Sequence, residues 1–243
     1  MMVERNQAFE KRVVLITGAS GGLGKVVSRH FAELGASLIL VGTSLEKLDR
    51  LGNELGIAGD KWFAIAADLT NGTVAQDILK TSINKFGHVD ILLNLVGGWA
   101  GGKTVPEVDP GELSMMLDQH VWSTFHLVQA LVPHMVENKF GRIIIISSPN
   151  AAAPPAKGSA YAIGKAGQET LMLALAAELK GTGVTANVLR VRTIDVNHER
   201  DNNPSPKSSE WTTPEEITAT IAYLCSTEAN SINGARIPLY GSP

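Results

Sequence analysis

Val13-Val14-Leu15-Ile16-Thr17-Gly18-Ala19-Ser20-Gly21-Gly22-Leu23-Gly24 is the stretch from which the fold is read. The apolar run Val13 to Ile16 reads as a buried strand, because a strand covered on both faces is apolar continuously rather than at alternate positions. Glycines follow at once, and a helical pattern runs from Leu23 to Leu34. A glycine-rich turn between strand and helix lets the backbone approach a pyrophosphate, whose charge suits the free N–H groups of the helix N-terminus. Gly18, Ser20, Gly22, Leu23 and Gly24 are therefore candidate dinucleotide-binding residues.

Outward from this unit the same alternation continues. Strand-like runs at Ser37–Val41, Trp62–Ala66, Ile91–Leu93, Arg142–Ser147, Val184–Val191 and Ala235–Leu239 are separated by helical patterns. Those patterns cover Leu45–Leu55, Val74–Phe86, one long stretch Glu112–Glu137, Ser159–Leu179 and Pro214–Cys225. Seven such strands with helices between them predict right-handed crossovers and an α/β fold: a Rossmann-like, doubly wound, seven-stranded parallel sheet with helices on both faces. No linker divides the pattern, so residues 1–243 are expected to form a single dinucleotide-binding and catalytic domain. The polar stretch Asn197–Ser209 is the one long loop, expected to be a substrate loop.

Bulk properties exclude several classes. A net charge of −3, with both signs dispersed, leaves no basic footprint for nucleic acid. Met1 to Asn6 has no apolar segment of the secretory kind, and no apolar run is long enough to span a bilayer. The single cysteine, Cys225, cannot form an internal disulfide, which fits a reducing cytoplasm. The histidines His30, His88, His126, His134 and His198 show no metal-ligand spacing, and no metal site is expected.

The turn reads TGxxxGxG, and from here the sequence resembles the short-chain dehydrogenase/reductase family over about residues 11 to 241. Asp68-Leu69 match the family's adenine contact, and Asn94-Leu95-Val96-Gly97 stand where the family has Asn-Asn-Ala-Gly. Ser148 precedes Tyr161-x-x-x-Lys165 by thirteen residues, the family's active-site arrangement. The resemblance implies an NAD(P)-dependent oxidoreductase acting on a small carbonyl or alcohol. It also implies a homodimer or homotetramer joined through the Glu112–Glu137 and Ser159–Leu179 helices.

An acidic residue after the second strand would bind the adenosine ribose and favour NAD. Here the chain reads Val41-Gly42-Thr43-Ser44, without a carboxylate, so Thr43 and Ser44 can donate to a 2′-phosphate. NADP is the preferred cofactor on this reading, with NAD as the alternative.

Tyr161 and Lys165 lie one helical turn apart on one face. A free tyrosine titrates near ~10, and bringing it to neutrality takes about 4 kcal/mol of differential stabilisation. The Lys165 ammonium and an oxidised nicotinamide are expected to supply it, making Tyr161 the general acid/base. Ser148, past the carboxyl end of its strand, would hold the substrate oxygen, while Ser147 faces the other way as a structural residue.

Departures from the family pattern fall around the same site. Its relay asparagine is His120 here, either a proton shuttle or a packed histidine. Its Pro-Gly pair is Val191-Arg192, and its carboxamide-binding threonine is Val196. The backbone amide of Ile194 remains a candidate for the carboxamide. Arg192 stands at the mouth of the site, where it can attract an acidic substrate or a cofactor phosphate, or face solvent. These changes keep open a non-catalytic dinucleotide-binding sensor or scaffold, and more remotely a sugar-nucleotide epimerase-like enzyme.

Overall fold

A computed structural model describes residues 8–241. The Met1–Asn6 reading, and both extreme ends of the 1–243 assignment, lie outside the described residues. Seven strands, β1 (Val13–Thr17), β2 (Ser37–Gly42), β3 (Trp62–Ala66), β4 (Ile91–Asn94), β5 (Gly141–Ser147), β6 (Val184–Val191) and β7 (Arg236–Leu239), form one parallel sheet in the order β3-β2-β1-β4-β5-β6-β7.

Two cores sandwich the sheet, and strand pleating sorts residues between them. Leu15, Leu92, Ile143 and Ile145 point to one face, against α3 (Val74–Phe86), α5 (Ser123–Glu137) and α6 (Ser159–Glu178). Ile16, Leu93 and Ile144 point to the other, against α1 (Gly22–Glu33), α2 (Leu45–Glu54) and α8 (Pro214–Cys225). Burial on both faces is what required continuous apolar strands.

The long helical stretch after β4 is not uniform. Helix α4 (Pro110–Leu117) passes into a wide π-helical turn at Asp118–Trp122 before α5 begins. At this junction the Ser123 and Thr124 hydroxyls donate to the Gln119 and His120 carbonyls, at 2.6 and 2.7 Å. Such back-bonding competes with the regular ladder and accompanies the wider winding. His120 sits inside this turn.

The Asn197–Ser209 stretch also contains order that composition did not indicate. A short helix, α7 (Glu199–Asn202), is capped by buried Asp195, whose two carboxylate oxygens accept from the Glu199 and Arg200 amides at 2.8 Å each.

Strand order reverses between β1 and β4, and their carboxyl ends open a crevice where doubly wound sheets bind ligands. Thr17 and Asn94 are register partners at that edge, and the Thr17 hydroxyl donates to Asn94 Oδ1 at 2.6 Å.

Candidate active site

Two cavities, of about 420 and 440 Å³, meet over the β4 end and share Leu95, Val96, Gly97 and Gly98. Together they make a cleft large enough for a dinucleotide and a small second ligand.

The first cavity is lined by Gly18, Ser20, Thr43, Asp68, Leu69 and neighbouring backbone. Gly18 has φ +66°, and a Cβ there would lie 3.3 Å from the Leu95 and Val96 backbone. At Gly24 a Cβ would fall 2.2 Å from the Gly18 carbonyl oxygen, so helix and turn pack with no room for a side chain. No side chain caps the α1 N-terminus and no acid lies in its first turn, which leaves its N–H groups to an anion. Gly22, Leu23 and Gly24 shape this turn from behind rather than lining the cavity. Thr43 is at the cavity wall, whereas the Ser44 hydroxyl caps α2 by accepting from the Lys47 amide at 3.4 Å. Asp68 accepts from the Thr70 hydroxyl and amide at 2.7 and 3.0 Å, and these bonds hold its carboxyl below the ordinary value.

The second cavity brings together Tyr161, Lys165, His120, Gly97, Ile194 and Trp99. Tyr161 and Lys165 come from successive turns of α6. Ser148 follows β5 and is nearly buried; its hydroxyl accepts from the Asn150 amide at 3.3 Å and favours the ionised form of the Tyr161 phenol, though it does not line the cavity itself. Ser147 Oγ donates to Glu169 at 2.7 Å, inside a buried cluster with Arg190.

Electrostatics at Tyr161 run opposite to the sequence argument. Burial pushes the phenol above its ordinary value, and the Ser148 hydrogen bond only partly opposes this. Lys165 does not act as a fixed cation. Burial brings it down to about 7, opposed by Glu169, so the ammonium is lost before the phenol ionises. Its Nζ donates to the Ile146 carbonyl at 2.7 Å and to Gln168 Oε1 at 3.1 Å.

His120 is fully buried and pushed down to about 3, first by burial and then by the Lys165 charge. It is a neutral imidazole at working pH. With Nε2 bonded to the Gly98 carbonyl at 3.1 Å, Nε2 carries the hydrogen and Nδ1 is an acceptor. Its ring packs edge-on to Tyr161 at 5.6 Å between centroids.

Sequence reasoning missed Gln168 and Thr124, which join these groups to Asn94. Gln168 Nε2 donates to the Thr124 hydroxyl at 2.9 Å, and Asn94 Nδ2 donates to the same oxygen at 2.8 Å. Lys165 is thereby linked through Gln168, Thr124 and Asn94 to Thr17, at the root of the glycine turn. Asn94 serves this network and does not line either cavity. A polar glutamine one turn past Lys165, on a buried helix face, was the available signal.

The cleft suits a dinucleotide on its own geometry. Besides the glycine cradle, the buried atoms His120 Nδ1 and Gln119 Oε1 have no hydrogen-bond partner among the described residues. Both flank Gly97–Gly98, where the cavities meet: a Cβ on Gly97 would touch His120, and one on Gly98 would touch Gln119. Among the described residues, no group of three potential ligands could hold a metal ion, and no helix is long and apolar enough to cross a membrane.

Comparison with known proteins agrees with this architecture. The short chain dehydrogenase family model matches residues 12–207. The (2S)-[(R)-hydroxy(phenyl)methyl]succinyl-CoA dehydrogenase subunit BbsD of Thauera aromatica is 30% identical over 237 residues, covering 93% of this chain and 94% of that protein. A short chain dehydrogenase structure from Bacillus anthracis superposes with a TM-score of 0.86 at 26% identity, covering 96% of each chain. The 3-ketoacyl-(acyl-carrier-protein) reductase of Brucella melitensis, complexed with NADH, gives 0.84 at 26% identity, covering 95% of this chain and 97% of that one.

Proposed function

Since the chain belongs to the short-chain dehydrogenase family, we propose that it is an oxidoreductase exchanging a hydride between a nicotinamide dinucleotide and a small carbonyl or alcohol, with Tyr161 handling the proton. The observation that carries this reading is the convergence of Tyr161, Lys165 and His120 on one cavity beside the glycine cradle.

Gly18, Ser20, the α1 N-terminus, Asp68 and Leu69 would hold the dinucleotide's adenosine and pyrophosphate portion. Gly97, Ile194, Tyr161 and Lys165 would border its nicotinamide end. The bound cofactor supplies the hydride. Ser148 orients the substrate oxygen and Tyr161 gives it a proton. A phenol raised by burial stays protonated at neutral pH, which suits the reductive direction. Lys165, at about 7 and on the wall of the same cavity, would return a proton to the tyrosinate. His120 is too acidic as an imidazolium to shuttle protons, and serves through its Nδ1 lone pair as an acceptor in the site.

Thr43 on the cavity wall, with no acidic residue after β2, favours NADP over NAD. The Asn197–Ser209 segment, folded around Asp195, would border the substrate as part of one catalytic domain. Trp122 and Phe125 are exposed on the α5 side and provide an apolar face for self-association as a dimer or tetramer. A monomer in size-exclusion chromatography at micromolar concentration would contradict that association.

The test is an absorbance assay with NADPH and NADH against ketones, diketones and acyl thioesters. Turnover with a higher kcat/KM for NADPH is expected. Tight binding of both cofactors without turnover of any carbonyl would instead indicate a dinucleotide sensor.

A further inference from the structure

Arg192 stands one residue past β6, on the wall of the cavity that Tyr161 and Lys165 line. Among the described residues, the only strongly basic side chains lining that cavity are Lys165 and Arg192, of which Arg192 is the fixed cation, and no aspartate or glutamate lines it. His120 beside them is neutral and adds nothing to offset them. We propose that Arg192 recognises a carboxylate on the substrate, so that the substrate class is a small oxo acid or the corresponding hydroxy acid. This rests on the reading that the cavity performs hydride transfer.

The guanidinium is held from outside the cavity. Glu210, which does not line it, contacts Arg192 Nε at 2.7 Å, and the Tyr240 ring lies 5.8 Å from the guanidinium carbon. Among the described residues neither terminal nitrogen of Arg192 has a hydrogen-bond partner, and their planar fork matches a carboxylate in two parallel hydrogen bonds. A side chain braced in this way loses less freedom on binding than an unattached surface arginine. Arg192 and Glu210 are about equally exposed, 48% and 53%, so water weakens their pairing and a ligand carboxylate can compete for the guanidinium.

The remaining walls fit a short chain between ketone and acid. Trp99 supplies an apolar surface at the mouth, and the volume of about 440 Å³ must also admit the nicotinamide. The 2′-phosphate of NADP would lie by Thr43 in the other cavity, away from Arg192, so that phosphate is not the anion assigned here.

The experiment uses the full chain with saturating NADPH and a series of oxo acids, with one to four methylenes between ketone and carboxylate, each paired with its methyl ester. The best acid is expected to exceed its ester by about tenfold in kcat/KM, the scale of a bidentate charge-assisted contact at a half-exposed site. Arg192→Gln should bring that ratio close to one, mainly through KM of the acid. Arg192→Lys, which keeps the charge but not the fork, should leave an intermediate ratio. Equal use of acids and esters by the wild type, or an acid preference unchanged in Arg192→Gln, would overturn the assignment. A weaker NADPH affinity in Arg192→Gln with no change in the ratio would overturn it in favour of a cofactor phosphate. Turnover of esters without acid preference sinks this inference alone, whereas no turnover of any member sinks the hydride-transfer reading and this one with it.

Discussion

On the Gly18 side of the cleft a glycine turn shapes the wall, and on the Tyr161 side the wall is made of side chains drawn from distant parts of the chain. Gly18, Gly22 and Gly24 work by what they lack: a Cβ at any of them meets neighbouring atoms at 3.3, 2.6 and 2.2 Å respectively. Tyr161, Lys165 and His120 work by what they carry. Their properties depend on Gln168, Thr124, Ser148 and the Gly98 carbonyl. The backbone half tolerates almost no added atom, yet its chemistry is fixed by shape. In the side-chain half, proton affinities follow burial first and then particular neighbours: Glu169 for Lys165, Ser148 for Tyr161, and Lys165 and the Gly98 carbonyl for His120.

The largest effect is expected where the backbone half is broken. Gly24→Val places a branched side chain against the Gly18 carbonyl, which cannot rotate away. Overpacking of this kind costs about 1–3 kcal/mol or more in stability, and the displaced turn should weaken NADPH binding by roughly a hundredfold. Thermal melting and fluorescence titration measure the two effects. An unchanged dissociation constant would mean that the turn does not cradle the pyrophosphate.

A smaller effect should follow in the other half from Gln168→Leu, which leaves one Lys165 proton and the Thr124 hydroxyl short of a partner. Here kcat should fall about tenfold, the equivalent of one lost charge-assisted hydrogen bond, while the NADPH dissociation constant moves less. Equal losses in both would show that the halves are not separable.

Gln168→Glu sharpens the same point by pH. Lys165 lies at about 7, so reduction should fade as pH rises through that value and the proton supply is lost. A carboxylate at position 168 favours the ammonium and should move the fading upward by about one pH unit. A profile that does not move would place the limb on another group.

The effect of His120 is confined to acid pH. Its value is lowered from 6.5 to about 3, so between those limits the unfolded chain binds a proton that the folded chain does not. Stability is therefore lost as pH falls through this window. His120→Asn should flatten the dependence of the urea midpoint on pH between 6.5 and about 4. An unaltered slope would show that the buried imidazole is not responsible.

The same contrast explains what was legible in the sequence. Continuous apolar strands, the glycine turn and the Tyr161–Lys165 spacing are local signals, and the seven strands fall close to where those runs predicted. The network was not local. Gln168 and Thr124 are separated by 44 residues, Asn94 and Thr124 by 30, and Thr17 and Asn94 by 77. The π-helical turn was hidden for a related reason, since Glu112–Glu137 has an ordinary helical pattern and the widening coincides with hydroxyl-to-carbonyl bonds at Ser123 and Thr124. For Tyr161 the spacing identified the neighbour but not the burial that lowers the neighbour's charge. That burial reverses the direction of the shift.

Tyr161→Phe, measured for both NADPH affinity and single-turnover reduction of the best carbonyl substrate, addresses the central claim most directly. The phenol is the proton donor on this account, so the dissociation constant should stay within about threefold while the rate falls by roughly a thousandfold. Reduction at an undiminished rate by the phenylalanine variant would contradict the account, because no proton from position 161 would then be needed.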